Sequence, residues 1–430
     1  MRHVPVLIVG GGPVGLALAA ELGWRGIACE LVEQTDGAIA TPKMNEVNIR
    51  TMEICRRWGV ADAVLNCPFP ADFPLDVAFV TQLFGYEMGR VTRPARGAQT
   101  PESYSPYRLQ ACSQHWFDPI LQKLARSFPS VRLSYRTRLE SFAADASGVT
   151  ATLTNRDSGK SETIVADYLV GCDGANSFVR ETAGIGLDGE GTLGQPLHMF
   201  FRAPDLLARS GQNPATFFLL VDKDGFWGNL RIIEPRQGIW RLMVDESDGT
   251  TPDDKARAAY LRRALGREEA VEWINASVWK RRSVVASAFR NGRVFIAGDA
   301  AHQLSPTGAL GMNSGVADAV DLGWKLAAVF QGWGGAKLLN SYDTERRPIG
   351  HRNVAMATQF FFNKDEFAHI GDVIEQHMIE IGFLPQNAQK RGKAAELTGD
   401  GSNPLNPSLL VSAGTNVELL QQGKIVISRS

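Results

Sequence analysis

The sequence is poor in the features that mark secreted, metal-stapled or membrane-spanning chains. Only five cysteines occur in 430 residues (Cys29, Cys55, Cys67, Cys112 and Cys172), and no two of them form C-x-x-C. An odd, scattered set of this kind argues against a disulfide framework or a zinc site, and it favours a reducing, cytoplasmic setting. The seven histidines show no H-x-x-x-H spacing, so no metal is expected. No window reaches about 18 consecutive apolar residues, so no spanning helix and no membrane partner are expected. Neither sign of charge dominates: 45 Lys and Arg stand against 46 Asp and Glu, for a net charge of −1. Such a balance removes the basic excess that a nucleic-acid partner asks for. No internal repeat is visible. The opening MRHVPVLIVGGGPVG has a basic start and an apolar run. That run is too short and too broken by glycine for a signal peptide, and a buried strand explains it better.

What the chain does have is glycine, 43 of 430 residues, above the usual share of about 7%. Without low-complexity tracts, that excess points to close backbone approaches of the kind nucleotide sites need. The length suggests two to three domains, enough to enclose a cofactor.

Residues 4–9 (VPVLIV) read as a buried parallel strand. Residues 13–25 follow a helical pattern, with Pro13 where the first turn tolerates it. Residues 27–33 (IACELVE) read as a second strand, completing a β-α-β unit. Further helices are expected over 47–58 and 113–128, and strands over 131–155 and 162–170. From about 195 to 284 the texture changes to short aromatic strands (HMFFRA, TFFLLVD, FWGNLRII, GIWRLMV) broken by one helix near 253–266. A β-rich run at 293–297 and a long helix over 313–331 then follow. The chain therefore leaves its first domain and returns to it.

Gly10-Gly11-Gly12-Pro13-Val14-Gly15 matches G-x-G-x-x-G between a strand and a helix, the context that a dinucleotide fingerprint requires. Gly10 permits the tight turn, Gly12 lets backbone N–H groups reach a pyrophosphate at the helix N-terminus, and Gly15 lets helix and strand pack closely. Glu33, at the end of the second strand, is placed to accept ribose hydroxyl protons. A second match, Gly184 to Gly189, follows a helix-like stretch and precedes no convincing helix; it reads as a helix end plus turns.

Two further motifs follow: YLVGCDGANSFVR at 168–180 and RVFIAGDAAHQLSPTGALGMNSG at 293–315. With these three motifs in order, over roughly residues 4–350, the sequence resembles the class A flavoprotein aromatic hydroxylases, the group of p-hydroxybenzoate hydroxylase and phenol hydroxylase. The runs at 33–37 and 73–76 add a likeness to the subgroup acting on polycyclic polyketides and indolocarbazoles. The resemblance implies an α/β fold: a Rossmann-like FAD-binding domain, an inserted, mostly antiparallel substrate-binding sheet, and a C-terminal helical segment. The corresponding boundaries are 1–75, 105–185 and 285–360 for the FAD domain, 76–104 and 186–284 for the insert, and 361–430 for the tail. That tail does not resemble the thioredoxin-like domain with which many phenol-hydroxylase relatives continue.

Carried over residue by residue, the resemblance implies that Gly10, Gly12, Pro13, Val14 and Gly15 hold the FAD pyrophosphate and Glu33 the adenosine ribose. Lys43, Arg50 and Gln114 match positions beside the cofactor, with Lys43 keeping the charge but losing the fork of the arginine common there. Asp173 and Arg180 belong to the motif serving both FAD and the pyridine nucleotide. Gly298 and Asp299 would meet the ribityl chain, and Pro306, Gly308, Gly311, Met312 and Asn313 the flavin ring. A helix start near Gly311 suits the negative charge that reduced flavin gains.

The activity implied is NADPH- or NADH-dependent hydroxylation of a phenolic or polycyclic aromatic substrate by dioxygen, through a flavin hydroperoxide. Residues that would position or activate the substrate are Asn45, Arg231 and Pro306. Asn45 stands near an active-site aspartate of relatives, but as an amide it cannot serve as a base. Arg231 would pair with a substrate carboxylate or phenolate, or else face solvent from its strand. His302 is expected to support the loop rather than react. His198, Phe200, Phe201, Trp227 and Trp240 would line an aromatic pocket or fill the core. Partners would be the small aromatic substrate and dioxygen, with the chain a monomer or homodimer. The W-x-W-x-I-P run of flavin halogenases is absent. A reductase of the same fold and a non-catalytic FAD-binding protein remain the alternatives.

Overall fold

The computed structural model describes residues 1–362, apart from 223, 224, 245, 246, 248 and 307. The tail assigned above to 361–430 therefore lies, from 363 onward, outside the described residues. Two compact units emerge, one from Met1–Pro68, Thr100–Leu193 and Arg281–Thr358, the other from Phe69–Gln99 and Gly194–Lys280.

The first unit is built on a parallel sheet in the order Val294–Ile296, Ser161–Gly171, Arg2–Val9, Cys29–Val32, Val131–Ser134. Val6, Leu7 and Ile8 of the central strand are fully buried, as expected of a strand covered on both faces. Strand Ser161–Gly171 also pairs antiparallel with Val149–Asn155, which continues to Thr137–Ala144. Helix Pro13–Trp24 is buried almost all round, from Gly15 to Gly23, because it lies in the interior rather than on the surface. It packs against helix Leu310–Phe330 through small residues. A Cβ on Gly315 would come within 2.5 Å of Val14, and one on Gly323 within 2.6 Å of Glu21. Glu21 itself is fully buried and compensated: it accepts from Arg25 at 2.8 Å, from the Trp58 indole at 2.7 Å, and from Arg57. Such compensation is what keeps a buried carboxylate tolerable.

The second glycine match does not open a helix. Gly184, at φ +70°, ends the helix Phe178–Thr182, and the run that follows is a strand, Leu187–Gly194, paired with Arg281–Ala286. The sequence reading expected turns there; cross-strand pairing overrides the glycine content.

The second unit is a seven-stranded sheet in the order Glu272–Val278, Leu197–Arg202, Ile239–Val244, Gly225–Glu234, Phe217–Asp222, Val77–Val80, Glu87–Val91. All its pairs are antiparallel except Phe217–Leu220 with Val77–Val80. The Pro- and Gly-rich stretch after 66 thus supplies two strands to this sheet. Helix Asp254–Leu265, capped by Asp253, covers one face with Leu261, Ala264 and Leu265. Met199, Phe201, Phe218, Leu230, Trp240 and Leu242 point into that apolar layer. Because side chains alternate along a strand, His198, Phe200, Phe217, Asn229, Arg231, Arg241 and Met243 belong to the opposite face. Among the described residues, no helix is long and apolar enough to cross a membrane, and no group of three His, Cys, Asp or Glu could hold a metal.

Candidate active site

The glycine fingerprint forms the floor of a cleft of about 690 Å³ in the first unit. Its walls include Gly10, Gly11, Gly12, Glu33, Lys43, Gln114, Asp173 and Phe178. Each glycine is required for a different reason. Gly10 adopts φ +109°, and a Cβ there would lie 2.4 Å from the Cys172 carbonyl oxygen. A Cβ on Gly15 would lie 2.0 Å from the Gly10 carbonyl oxygen. Around Gly12 nothing lies within 4 Å, so that side is left open toward the cleft. Gly12 is the N-cap of helix Pro13–Trp24 and offers no side-chain cap, leaving the first-turn N–H groups for a ligand. An anion is the natural occupant of such a helix end.

Glu33 follows the second strand. Its Oε2 accepts from Gly11 N at 2.8 Å, and its Oε1 accepts from both the backbone and the hydroxyl of Thr35 at 2.8 Å. The carboxylate is thereby fixed at the cleft wall. Lys43 is exposed on the same wall. Its backbone N–H donates to Gln114 Oε1 at 3.0 Å, and Gln114 Nε2 donates to Asp118 Oδ2 at 3.1 Å, which fixes which way the amide points. Asp118 went unnoticed in the sequence. It is 1% exposed, its Oδ1 has no partner, and burial pushes its carboxyl up to about 7.

That placement predicts a pH-dependent stability. A carboxyl raised in the folded state contributes stability below its unfolded pKa and loses that contribution as pH rises through about 7. Between pH 5 and pH 8, Asp118→Asn should gain stability relative to the parent by on the order of 3 kcal/mol. Thermal unfolding at both pH values tests this, and an identical difference at both would refute it.

Asp173 lines the cleft and closes the turn before helix Phe178–Thr182, accepting from the Ser177 hydroxyl at 2.5 Å and from Val179 N at 3.0 Å. Arg180 is 3% exposed and donates to the carbonyls of Ala175 at 3.1 Å and Ala300 at 3.5 Å, so it stitches the second motif to the third. Arg50, expected beside the cofactor, is an exposed guanidinium paired with Glu53 at 2.9 Å. Asn45 is buried, and its side-chain oxygen accepts from the Ser113 hydroxyl at 2.8 Å; it pins a strand pair.

In the third motif, Gly298 takes φ +62° and Asp299 stands exposed at the turn Gly298–Ala300. Burial pushes the Asp299 carboxyl above the ordinary range, while His302 and Lys43 draw it back. Helix Leu310–Phe330 begins after Ala309 with no side-chain cap, and Gly311 leaves open space beside it. Pro306 is exposed, Gly308 takes φ +84°, and Met312 is half-buried. The Asn313 side chain faces inward as a clamp: it accepts from Asn48 N at 3.0 Å and Thr51 Oγ1 at 2.8 Å and donates to Ala309 O at 2.8 Å.

The residues therefore fit an FAD: two uncapped helix starts, a fixed acid at the end of the second strand, an acid at the turn of the third motif, and an open Gly12. The family model described as FAD binding domain matches residues 3–357. The chain belongs to the FAD binding domain family. It is 36% identical over 360 residues to a putative polyketide hydroxylase of Streptomyces coelicolor, covering 83% of this chain and 57% of that relative. The rebeccamycin biosynthetic enzyme RebC with reduced flavin superposes with a TM-score of 0.78 at 38% identity, over 84% of this chain and 68% of RebC. Aklavinone-11 hydroxylase in complex with FAD and aklavinone gives 0.74 at 33% identity, over 83% of this chain and 68% of that one. The family, fold class and FAD cofactor implied by the three motifs are thus the ones found.

The second unit of this FAD-binding chain holds the remaining polar group of interest. Arg231 and Arg241 face each other in register on neighbouring strands, each 8% exposed. The Arg231 guanidinium lies 4.6 Å from the Phe217 ring centre, and Arg241 Nη2 donates to Asn229 Oδ1 at 3.1 Å. Arg241 Nε is buried without a partner, and burial next to Arg231 pushes its pKa down to about 9. Arg241 was missed in the sequence. The signal was there in GIWRLMV, a charged residue on an otherwise apolar strand. Phe201 and Trp240 belong to the helix-covered core, while His198 accepts from the Trp279 indole at 2.9 Å.

Proposed function

We propose that this chain is an FAD-dependent monooxygenase that hydroxylates a phenolic or polycyclic aromatic substrate, using NADPH or NADH and dioxygen. The observation that carries the reading is the convergence of all three motifs on one unit of a chain whose relatives are named hydroxylases. The chain spans 57% of the length of the first of those relatives. FAD, when bound, supplies electron acceptance from the nicotinamide and activation of dioxygen.

The protein's part is to bind, orient and tune. Gly10, Gly12, Pro13, Val14 and Gly15 would seat the pyrophosphate and Glu33 the ribose. Lys43, Gln114 and Asp173 would line the remainder of the cleft, with Arg180 holding its backbone. Gly298 and Asp299 would meet the ribityl hydroxyls, and the segment Pro306, Gly308, Gly311 and Met312 would approach the ring, held by Asn313. A phenol has a pKa of about 10, so hydroxylation gains from a group that stabilises the phenolate. Asn45 cannot take a proton. The paired guanidiniums of Arg231 and Arg241 can attract an oxyanion, which supports an acidic phenol or a carboxylated aromatic as substrate. Five free, buried cysteines support residence in the reducing cytoplasm; the chain would act as a monomer or homodimer.

The test is oxidation of NADPH or NADH by the flavin-loaded protein across a panel of phenols and polycyclic acids, with mass analysis for one added oxygen. Bound flavin that never responds to any aromatic would favour a non-catalytic FAD-binding protein. Asp299→Ala should weaken FAD binding by about 10- to 100-fold, the loss of a charge-assisted hydrogen bond. Wild-type FAD affinity in that variant would remove Asp299 from the site.

A further inference from the structure

The cleft above the glycine fingerprint extends past the residues that suit a pyrophosphate and a ribose. Glu33 marks where that extension begins. Its carbonyl accepts from Thr137 N at 2.8 Å, so strand Thr137–Ala144 starts against the acid placed for the ribose. Arg138, Leu139 and Glu140 then line the cleft, and so does Phe178 beyond Asp173 and Gly174. With the phosphates of a dinucleotide directed to Gly12, the base carried by a ribose at Glu33 is directed to this end.

The chemistry of the end suits a neutral, flat ring. Arg138 and Glu140 form a bidentate pair, Nε to Oε1 at 2.9 Å and Nη2 to Oε2 at 2.7 Å. Their charges cancel, so nothing here asks for a further phosphate. Phe178 supplies an apolar surface, 41% exposed at the cleft. One exposed apolar residue means little by itself, but two observations give this one a direction. Phe142, on the strand that carries Arg138 and Glu140, meets the Phe178 ring edge to face, with centres 6.4 Å apart and planes at 87°. The backbone on both sides of Phe178 is fixed by an acid of the same cleft: Asp173 accepts from the Ser177 hydroxyl at 2.5 Å and from Val179 N at 3.0 Å. The ring is therefore held in place by the protein alone, with aromatic surface left uncovered.

We propose that Phe178 is a specificity-determining residue for the cofactor: its ring is the platform on which the adenine of FAD stacks, and it favours FAD over FMN, which has no adenine. This rests on the reading of the cleft as the FAD site. An aromatic ring stacks on the face of a base without needing hydrogen bonds, and removing such a ring typically weakens binding by roughly 10- to 100-fold.

Binding of FAD and of FMN to the full chain would be measured by flavin fluorescence quenching for the parent, Phe178→Ala, Phe178→Leu and Phe178→Tyr. Phe178→Ala should bind FAD at least about tenfold more weakly and FMN as the parent does. Tyrosine keeps a ring and should hold FAD near the parent level. Leucine keeps only apolar bulk and should behave like alanine. Parent-like FAD binding by Phe178→Ala, equal weakening for FAD and FMN, or full rescue by leucine overturns the inference. So does a Phe178→Ala protein that binds FAD normally but needs more NADPH or NADH to reduce it, which would assign the ring to the pyridine nucleotide. A parent that takes up no FAD overturns instead the reading of the cleft. A measurement on the unaltered chain covers variants that fail to fold. In proton spectra of ADP, which brings base and phosphates without the flavin, the adenine ring protons should move upfield on binding, as protons over an aromatic face do. Bound ADP with unshifted adenine protons sinks the proposal.

Discussion

Gly15→Ala is expected to abolish FAD uptake and to lower stability by at least about 3 kcal/mol. The added Cβ would sit 2.0 Å from the Gly10 carbonyl oxygen and 3.4 Å from the Cys172 side chain. Neither neighbour can give way. Gly10 donates its own N–H to Val32 O at 2.9 Å, and Cys172 donates to Val9 O at 2.7 Å, so both belong to the ends of paired strands in a buried sheet. Close-packed interiors pass such a clash to the backbone instead of absorbing it. Gly12→Ala makes the control. No atom lies within 4 Å of its Cβ position, so the fold should be kept, while the methyl group intrudes on the cleft and weakens FAD. Thermal unfolding and the yellow flavin absorbance of both variants decide the matter. A stable, yellow Gly15→Ala protein is incompatible with the packing described.

The second large effect is expected at Arg241. Two guanidiniums in register at 8% exposure repel each other and lose hydration. Burial leaves Arg241 with a pKa of about 9, so at pH 7 it is still charged, and holding that charge destabilises the apo protein. The sign is that of a base lowered by folding: the penalty is full at neutral pH and fades as pH rises through about 9. Arg241→Met retains the bulk of the stem without the charge. It should raise the melting temperature by a few degrees and raise KM for an anionic aromatic about 100-fold, the loss of a desolvated charge-assisted contact worth about 3 kcal/mol. KM for a neutral analogue of the same size should change little. A variant less stable than the parent, or one equally impaired on neutral and anionic substrates, would show that Arg241 serves the core and not the substrate.

The two sites differ in how far sequence alone reaches. Around the glycine fingerprint, each residue acts through its own backbone or through a neighbour a few positions away, and a strand-turn-helix of fixed spacing leaves little to decide. The strand-turn-helix that holds Gly10, Gly12 and Gly15, with Glu33 just after the second strand, was therefore legible. Arg50 shows the limit of such transfer. Its place in the motif was clear, but the side chain turns to Glu53, a choice made by a local ion pair. Asn313 shows another limit. Spacing placed it at the helix start, whereas the partners at Asn48 and Thr51, some 260 residues away, turn its side chain inward.

What the sequence by itself determined was the order of the three motifs, the parallel nucleotide-binding sheet and the antiparallel sheet; the FAD cofactor came through the family resemblance that those motifs carry. Local spacing and alternation of apolar residues suffice for that, because they act between near neighbours. Only the tertiary structure decided which charged groups are buried and what they face. Asp118, Arg241 and Asp318 pass unremarked in the sequence and stand out only through burial and through what faces them in the folded chain. Desolvation and Coulomb interaction depend on what surrounds a group in space, and that cannot be read from its position in the chain.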